Sequence, residues 1–286
     1  MQTILIPTDF SATATHAAEY AYRIAQQINA NVVLCNALTV SAEIPQTGMS
    51  VWPMEEYDAQ IRESEKELSL LKKHLIATPL IQEVQPLVMC KNESGILTDV
   101  VNGIIASQPV GLVVIGTHRK GGIGQFLLGN HTRNMIDGIA KPLMIIPAEA
   151  PITIPKKIAF ATDFKNEEDD LDTLFWLVPL ANSLQAEILI THICSEEAHT
   201  PELEARIKEF MVKVSNKANY SNIFYRKVTH DQTAKGLDWL CENGEVDMLA
   251  MVHRSRNFFE NLFKGSHTQK MASRTLIPLL VLPGSW

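Results

Sequence analysis

Short apolar runs alternate with stretches of helical periodicity along the whole chain. In the first half the runs are Thr3–Pro7, Asn31–Leu38, Val84–Cys90, Gly111–Gly116 and Pro142–Pro147. They are near-continuous in Val, Ile and Leu, the pattern of strands covered on both faces. Between the first two, Ala17, Ala18, Ala21, Ile24 and Ala25 fall at helical spacing and predict a helix over Ala12–Ile28, with Ser11 or Asp9 as N-cap. Met54–Ile76 is charged, yet Ile61, Leu68, Leu71 and Leu75 give it an apolar stripe. Ser94–Ser107 and Asn130–Ile139 predict two more helices. Strands alternating with helices imply a parallel, doubly wound sheet of about five strands.

The same plan then repeats. Predicted strands are Lys157–Ala161, Glu187–Cys194, Ile223–Thr229, Asp247–Val252 and Leu279–Pro283. Predicted helices are Glu168–Leu184, Pro201–Lys217, Ala234–Asn243 and Ser266–Arg274. The openings match residue for residue at their core, with Thr8-Asp9-Phe10 answered by Thr162-Asp163-Phe164. The closings match as well: Gly129-Asn130-His131-Thr132 leads to Pro142–Pro147, and Gly265-Ser266-His267-Thr268 to Pro278–Pro283. The chain therefore reads as two copies of one domain, 1–148 and 155–286. Pro147, Pro151 and Pro155 mark the short linker. The first copy is longer around Thr39–Glu55, where Pro45, Gly48 and Pro53 predict a loop.

Composition narrows the function classes. A formal charge of -7 and 46% hydrophobic residues suit two ordinary cores and argue against a protein that coats nucleic acid. No run reaches the roughly 18 apolar residues of a membrane span. Met1 leads straight into a strand pattern without a basic leader, so a soluble, cytoplasmic protein is expected. Cys35, Cys90, Cys194 and Cys241 form no C-x-x-C pair, and no H-x-x-x-H or clustered Cys/His spacing suggests a metal. The acidic run Glu167–Asp172 is expected only to favour a helix N-terminus.

One constellation points to a ligand. In an open parallel sheet the ligand crevice lies beyond the carboxyl ends of the strands. Asp9 follows the first strand, Ala37 ends the second and Gly116 ends the fourth. Gly116, Gly121, Gly122 and Gly124 lie on the approach to a helix that starts near Gly129. Glycines let backbone N–H groups approach an anion, and a helix N-terminus adds donors and a positive dipole end. This describes a phosphate cradle with a carboxylate at a distance that suits an adenosine.

The order strand-Pro-Thr-Asp-Phe, glycine loop, G-N-x-T and Pro-Leu-Met-Ile-Ile-Pro resembles the universal stress protein family in tandem form. The resemblance implies two Rossmann-like domains of the adenine nucleotide alpha hydrolase type. It also implies ATP or AMP, with Mg²⁺, in the first. The family's G-x2-G-x9-G-[S/T] falls on Gly116, Arg119, Gly129 and Asn130, so two of its four positions depart from the pattern. Arg119 offers a guanidinium for phosphate oxygens in place of a glycine. The resemblance puts the adenosine side on Pro7, Thr8, Asp9, Ala37 and Ile115, and the helix N-terminus on Asn130, His131 and Thr132. It further implies that the last strands pair the copies with each other or with a second chain.

In the second copy the motif positions read Val252, Ser255, Gly265 and Ser266, with Phe258, Phe259 and Phe263 crowding the segment. No nucleotide is expected there, and a scaffold or dimerisation role is. Blander readings stand beside these: Asp9 as a helix cap, Gly129–Thr132 as a helix start, His118 and His131 as solvated loop residues. There is no G-x-S-x-G elbow, no P-loop and no G-x-G-x-x-G turn. No catalytic residue is expected, and at most a slow ATP hydrolysis. The rivals are a scaffold that binds no nucleotide and a weak ATPase of the same fold.

Overall fold

The computed structural model describes residues 3–38, 54–79, 85–117, 130–254 and 277–284. In the first half β1 (Thr3–Pro7), α1 (Ala12–Ile28), β2 (Asn31–Leu38), α2 (Met54–Ile76) and β3 (Val88–Ser94) follow in order. Then come α3 (Leu97–Ser107), β4 (Val110–Thr117), α4 (Asn130–Gly138) and β5 (Leu143–Pro147). The second half contributes β6 (Lys157–Ala161), α5 (Glu167–Leu184), β7 (Glu187–Cys194), α6 (Pro201–Lys217) and β8 (Ile223–Thr229). It ends with α7 (Thr233–Asn243), β9 (Met248–His253) and β10 (Leu279–Pro283). The predicted helix Ser266–Arg274 and most of the Thr39–Glu55 loop lie outside the described residues.

All ten strands join one sheet in the order β3-β2-β1-β4-β5-β10-β9-β6-β7-β8. Every pairing is parallel except the central one, where β5 and β10 run antiparallel with Leu279 opposite Ile145 and Val281 opposite Leu143. Leu143, Met144, Ile145, Leu279, Leu280 and Val281 are all buried in that seam. At roughly 1.5–3 kcal/mol for each buried side chain, it holds the two halves as one body. It also corrects the alternative of a second chain pairing through the last strands. β5 is bonded on both sides by β4 and β10, and β10 by β5 and β9, so neither has an edge to offer. Among the described residues the edges that remain are β3 and β8.

Each face of the sheet carries its own core. One face packs Ile4, Ile6, Val32 and Leu34 with their second-half counterparts Ile158, Phe160, Ile188 and Ile190 against α1, α2, α5 and α6. The other packs Leu5, Val33, Val113 and Ile145 against α3, α4 and α7. β1 is buried along its whole length, as its unbroken apolar run requires.

Most boundaries match the sequence pattern within a residue or two, and β3 does not. The apolar criterion put it at Val84–Cys90, whereas the strand pairs Lys91, Asn92, Glu93 and Ser94 with Cys35–Leu38. As an edge strand it needs few apolar side chains, so polarity did not mark its end. α3 consequently starts at Leu97 rather than Ser94, after Gly95 at φ 145°. Both first helices of the repeats end on a left-handed residue, Asn29 after α1 and Gln185 after α5.

Candidate functional site

Strand order reverses between β1 and β4 in the first half and between β6 and β9 in the second. The carboxyl ends of those pairs form the crevices. Both open with the same turn. Thr8 Oγ1 accepts the Phe10 N–H at 3.0 Å, and Asp9 Oδ1 accepts the Ser11 N–H at 3.0 Å. In the second copy Thr162 accepts from Phe164 at 2.9 Å and Asp163 from Lys165 at 3.1 Å. Phe10 and Phe164 both take positive φ, 61° and 54°. The duplicated aspartate thus shapes a turn, and the cap of α1 is Ser11, whose hydroxyl accepts the Ala14 N–H.

The turn is pinned from strand two. Asn36 donates to the Thr8 carbonyl at 2.7 Å, and Ser64 of α2 bonds its Oδ1 at 3.0 Å. In the second copy His192 stands in the same place and its Nδ1 lies 2.8 Å from the Thr162 carbonyl, which makes that nitrogen the donor. Register puts Pro7 opposite Cys35, so Pro7, Thr8 and Asp9 gather beside Asn36 and Ala37. Burial pushes the Cys35 thiol up to about 12, so it is an inert packing group.

Gly116, next to the last residue of β4, has a clear reason to lack a side chain. A Cβ there would meet the Thr13 carbonyl oxygen of α1 at 2.5 Å. In the second copy α5 begins one residue later after its turn, with Asn166 as cap, and Val252 is accommodated. Part of the glycine signature is therefore helix packing. Ile115 is buried, Ala37 half-buried, Asp9 and His131 exposed, and Thr132 buried at the start of α4. The structure brings Pro7, Thr8, Asp9, Ala37, Ile115 and Gly116 to one end of the sheet. Arg119, Gly129, His118 and Gly121–Gly124 lie outside the described residues, as do Phe258, Phe259 and Phe263.

The second crevice is bridged. Arg254, just past β9, donates to Asp163 Oδ1 at 3.1 Å and also pairs with Asp170 of α5. Asp170 is fully buried and accepts the Thr162 hydroxyl at 2.6 Å. Its carboxyl is pushed up to about 6 by burial, against the pull of Thr162 and Arg254. Burial also opposes ionisation of Asp163, but the Lys165 N–H and ammonium, with Arg254, outweigh it and hold that carboxyl below its ordinary value. The acidic run is thus more than a dipole partner: Asp170 anchors Arg254, and Glu167 accepts Lys213 at 2.7 Å. The pattern did carry a signal for Arg254. A cation stands one residue past the strand that faces the duplicated aspartate.

Among the described residues no group of three metal-ligating side chains occurs, and no helix is long and apolar enough to cross a membrane.

The family model described as the universal stress protein family matches residues 1–147 and 155–283. The chain belongs to that family, as two domains in tandem. A universal stress protein from Archaeoglobus fulgidus DSM 4304 has a similar structure, with a TM-score of 0.67 and 15% identity over 99% of this chain and 98% of its own. A putative universal stress protein from Pseudomonas aeruginosa UCBPP-PA14 gives a TM-score of 0.57 and 11% identity, over 99% of this chain and 93% of its own. At these identities the likeness shows the fold alone. Comparison with curated proteins finds no match.

Proposed function

We propose that this tandem universal stress protein is a nucleotide-dependent regulator that binds ATP or AMP, with Mg²⁺, at the first crevice. The second domain serves as its scaffold. The observation that carries this reading is the contrast at the two switch points. In the second, the Arg254 guanidinium spans Asp163 and the buried Asp170. Counted from the helix cap and the strand end, the first copy has Thr15 and His118 at those places, so its sequence carries neither the aspartate nor the arginine of that pair. Its Asp9 is exposed at the mouth. In this reading Asp9 and Ala37, with Pro7, Thr8 and Ile115, meet the adenosine side. Gly116, Gly129 and the Asn130–Thr132 helix start meet the phosphates, and Arg119 supplies positive charge. No general base is assigned among the described residues of the first crevice, and any turnover in this reading is slow hydrolysis of bound ATP.

The test is to denature the purified protein and look for released nucleotide, then to titrate ATP and Mg²⁺ against thermal unfolding. Saturation at 100 times Kd should add roughly 2.7 kcal/mol, and Gly129→Val should abolish the gain. An empty protein with no thermal response would leave the scaffold reading for both halves.

A further inference from the structure

A second constellation stands where β7 runs into α6, one strand over from the β6–β9 switch point. Cys194 closes β7, and its Sγ lies 3.9 Å from His199 Nδ1. His199 Nε2 lies 3.0 Å from Glu204 Oε1 in the first turns of α6. A carboxylate can only accept, so Nε2 carries a proton, and in the neutral ring Nδ1 presents its lone pair to the thiol. That is the order nucleophile, base and orienting acid. Thr200 caps α6 by accepting the Leu203 N–H at 3.3 Å, which fixes the loop between the three residues.

The surroundings pull the thiol in both directions. Lys227, on the neighbouring strand β8, places a positive charge that favours the thiolate, and Glu196, paired with Lys227 at 3.2 Å, opposes it. Burial is the largest influence and holds the thiol protonated at rest, so a base is needed to ionise it. Tyr225, on the same face of β8, feels the charges of both Cys194 and Glu204. Its hydroxyl is buried and has no hydrogen-bond partner among the described residues. Cys194 is 8% exposed, which admits only a small reagent. The first copy has Leu38 at the matching place, so the arrangement belongs to the second domain alone.

We infer that Cys194, His199 and Glu204 form a relay that makes Cys194 a site of oxidation by small hydroperoxides. His199 Nδ1 takes the thiol proton. The thiolate attacks one peroxide oxygen, the S–O bond forms as the O–O bond breaks, and the leaving hydroxide takes the proton back from Nδ1–H. With hydrogen peroxide the products are the sulfenic acid and one water, and the sulfur supplies the two electrons. A thiol reductant reverses the change.

The experiment exposes the full chain to dilute hydrogen peroxide, traps sulfenic acid with dimedone and measures each cysteine by peptide mass spectrometry. Cys194 should react about tenfold faster than Cys90, although Cys90 is the more exposed. His199→Gln should slow Cys194 by roughly 100-fold and leave Cys90 unchanged. Glu204 is half exposed, so Glu204→Gln keeps the fold and should slow Cys194 about tenfold with an altered pH profile. If His199→Gln proves unstable, Glu204→Gln decides. A Cys194 rate no faster than Cys90, or unchanged by Glu204→Gln, overturns the relay.

Discussion

Replacing Arg254 by methionine isolates the bridge that closes the second crevice. Met keeps the apolar stem and removes only the guanidinium. The Asp170 carboxyl lies near 6 when folded and at an ordinary 3.8 when unfolded, so the folded state holds its proton more tightly. Stability from this group is therefore greatest below about pH 4 and falls as pH rises through about 6. Two units at about 1.36 kcal/mol each cost about 3 kcal/mol by neutral pH. Arg254 limits that loss, and without it the carboxyl rises further. At pH 5 the variant carries a neutral acid still bonded to Thr162 and should lose roughly 1 kcal/mol. At pH 8 the same change strands a buried carboxylate and should cost about 3–5 kcal/mol. Urea unfolding at both pH values measures the difference, with Arg254→Lys as a partial rescue. An equal loss at pH 5 and pH 8 would show that Asp170 does not depend on this guanidinium.

Two further substitutions test the geometry of the repeats. Gly116→Ala sets a Cβ against the backbone of Thr13, which cannot swing aside, and should cost about 1–3 kcal/mol in urea unfolding without ligand. A variant as stable as the parent would mean that α1 does not press on β4. Gln185→Gly should stabilise by about 1 kcal/mol, because Gln185 is exposed and held at φ 56°. Asn29→Gly at φ 53° should gain less, since Asn tolerates that region. Equal gains from the two would refute the argument from side-chain strain.

The alternation of runs and helices carried the fold, because strands buried on both faces must be nearly all apolar. It failed at β3, where one edge faces solvent and the register with Cys35–Leu38 comes from backbone pairing. The turn after β1 was legible as a motif, but its meaning was not. Only the hydrogen bonds from Phe10 and Ser11 show that Thr8 and Asp9 shape a turn. In sequence Gly116 implies room for a phosphate, and the close approach of Thr13 supplies a second cause that no local pattern could reveal. Arg254 with Asp170, and Cys194 with His199, lay in plain view but come together only through tertiary contacts. The candidate ligand positions drew on family resemblance, and the stretch with Arg119 and Gly129 lies outside what the structure describes.

The antiparallel seam of β5 and β10 has a consequence for how this molecule can change. Strands that run in opposite directions at the centre send their two crevices to opposite ends of the sheet, so no single small ligand can touch both. In a dimer of separate copies, every substitution would appear at both ends at once, and dilution would loosen the joint. Here the joint forms within one chain at any concentration, and each end is free to vary alone. An arginine can seal one crevice while the other copy has a histidine at the matching sequence position. The tether turns an enforced symmetry into a choice made separately at each end.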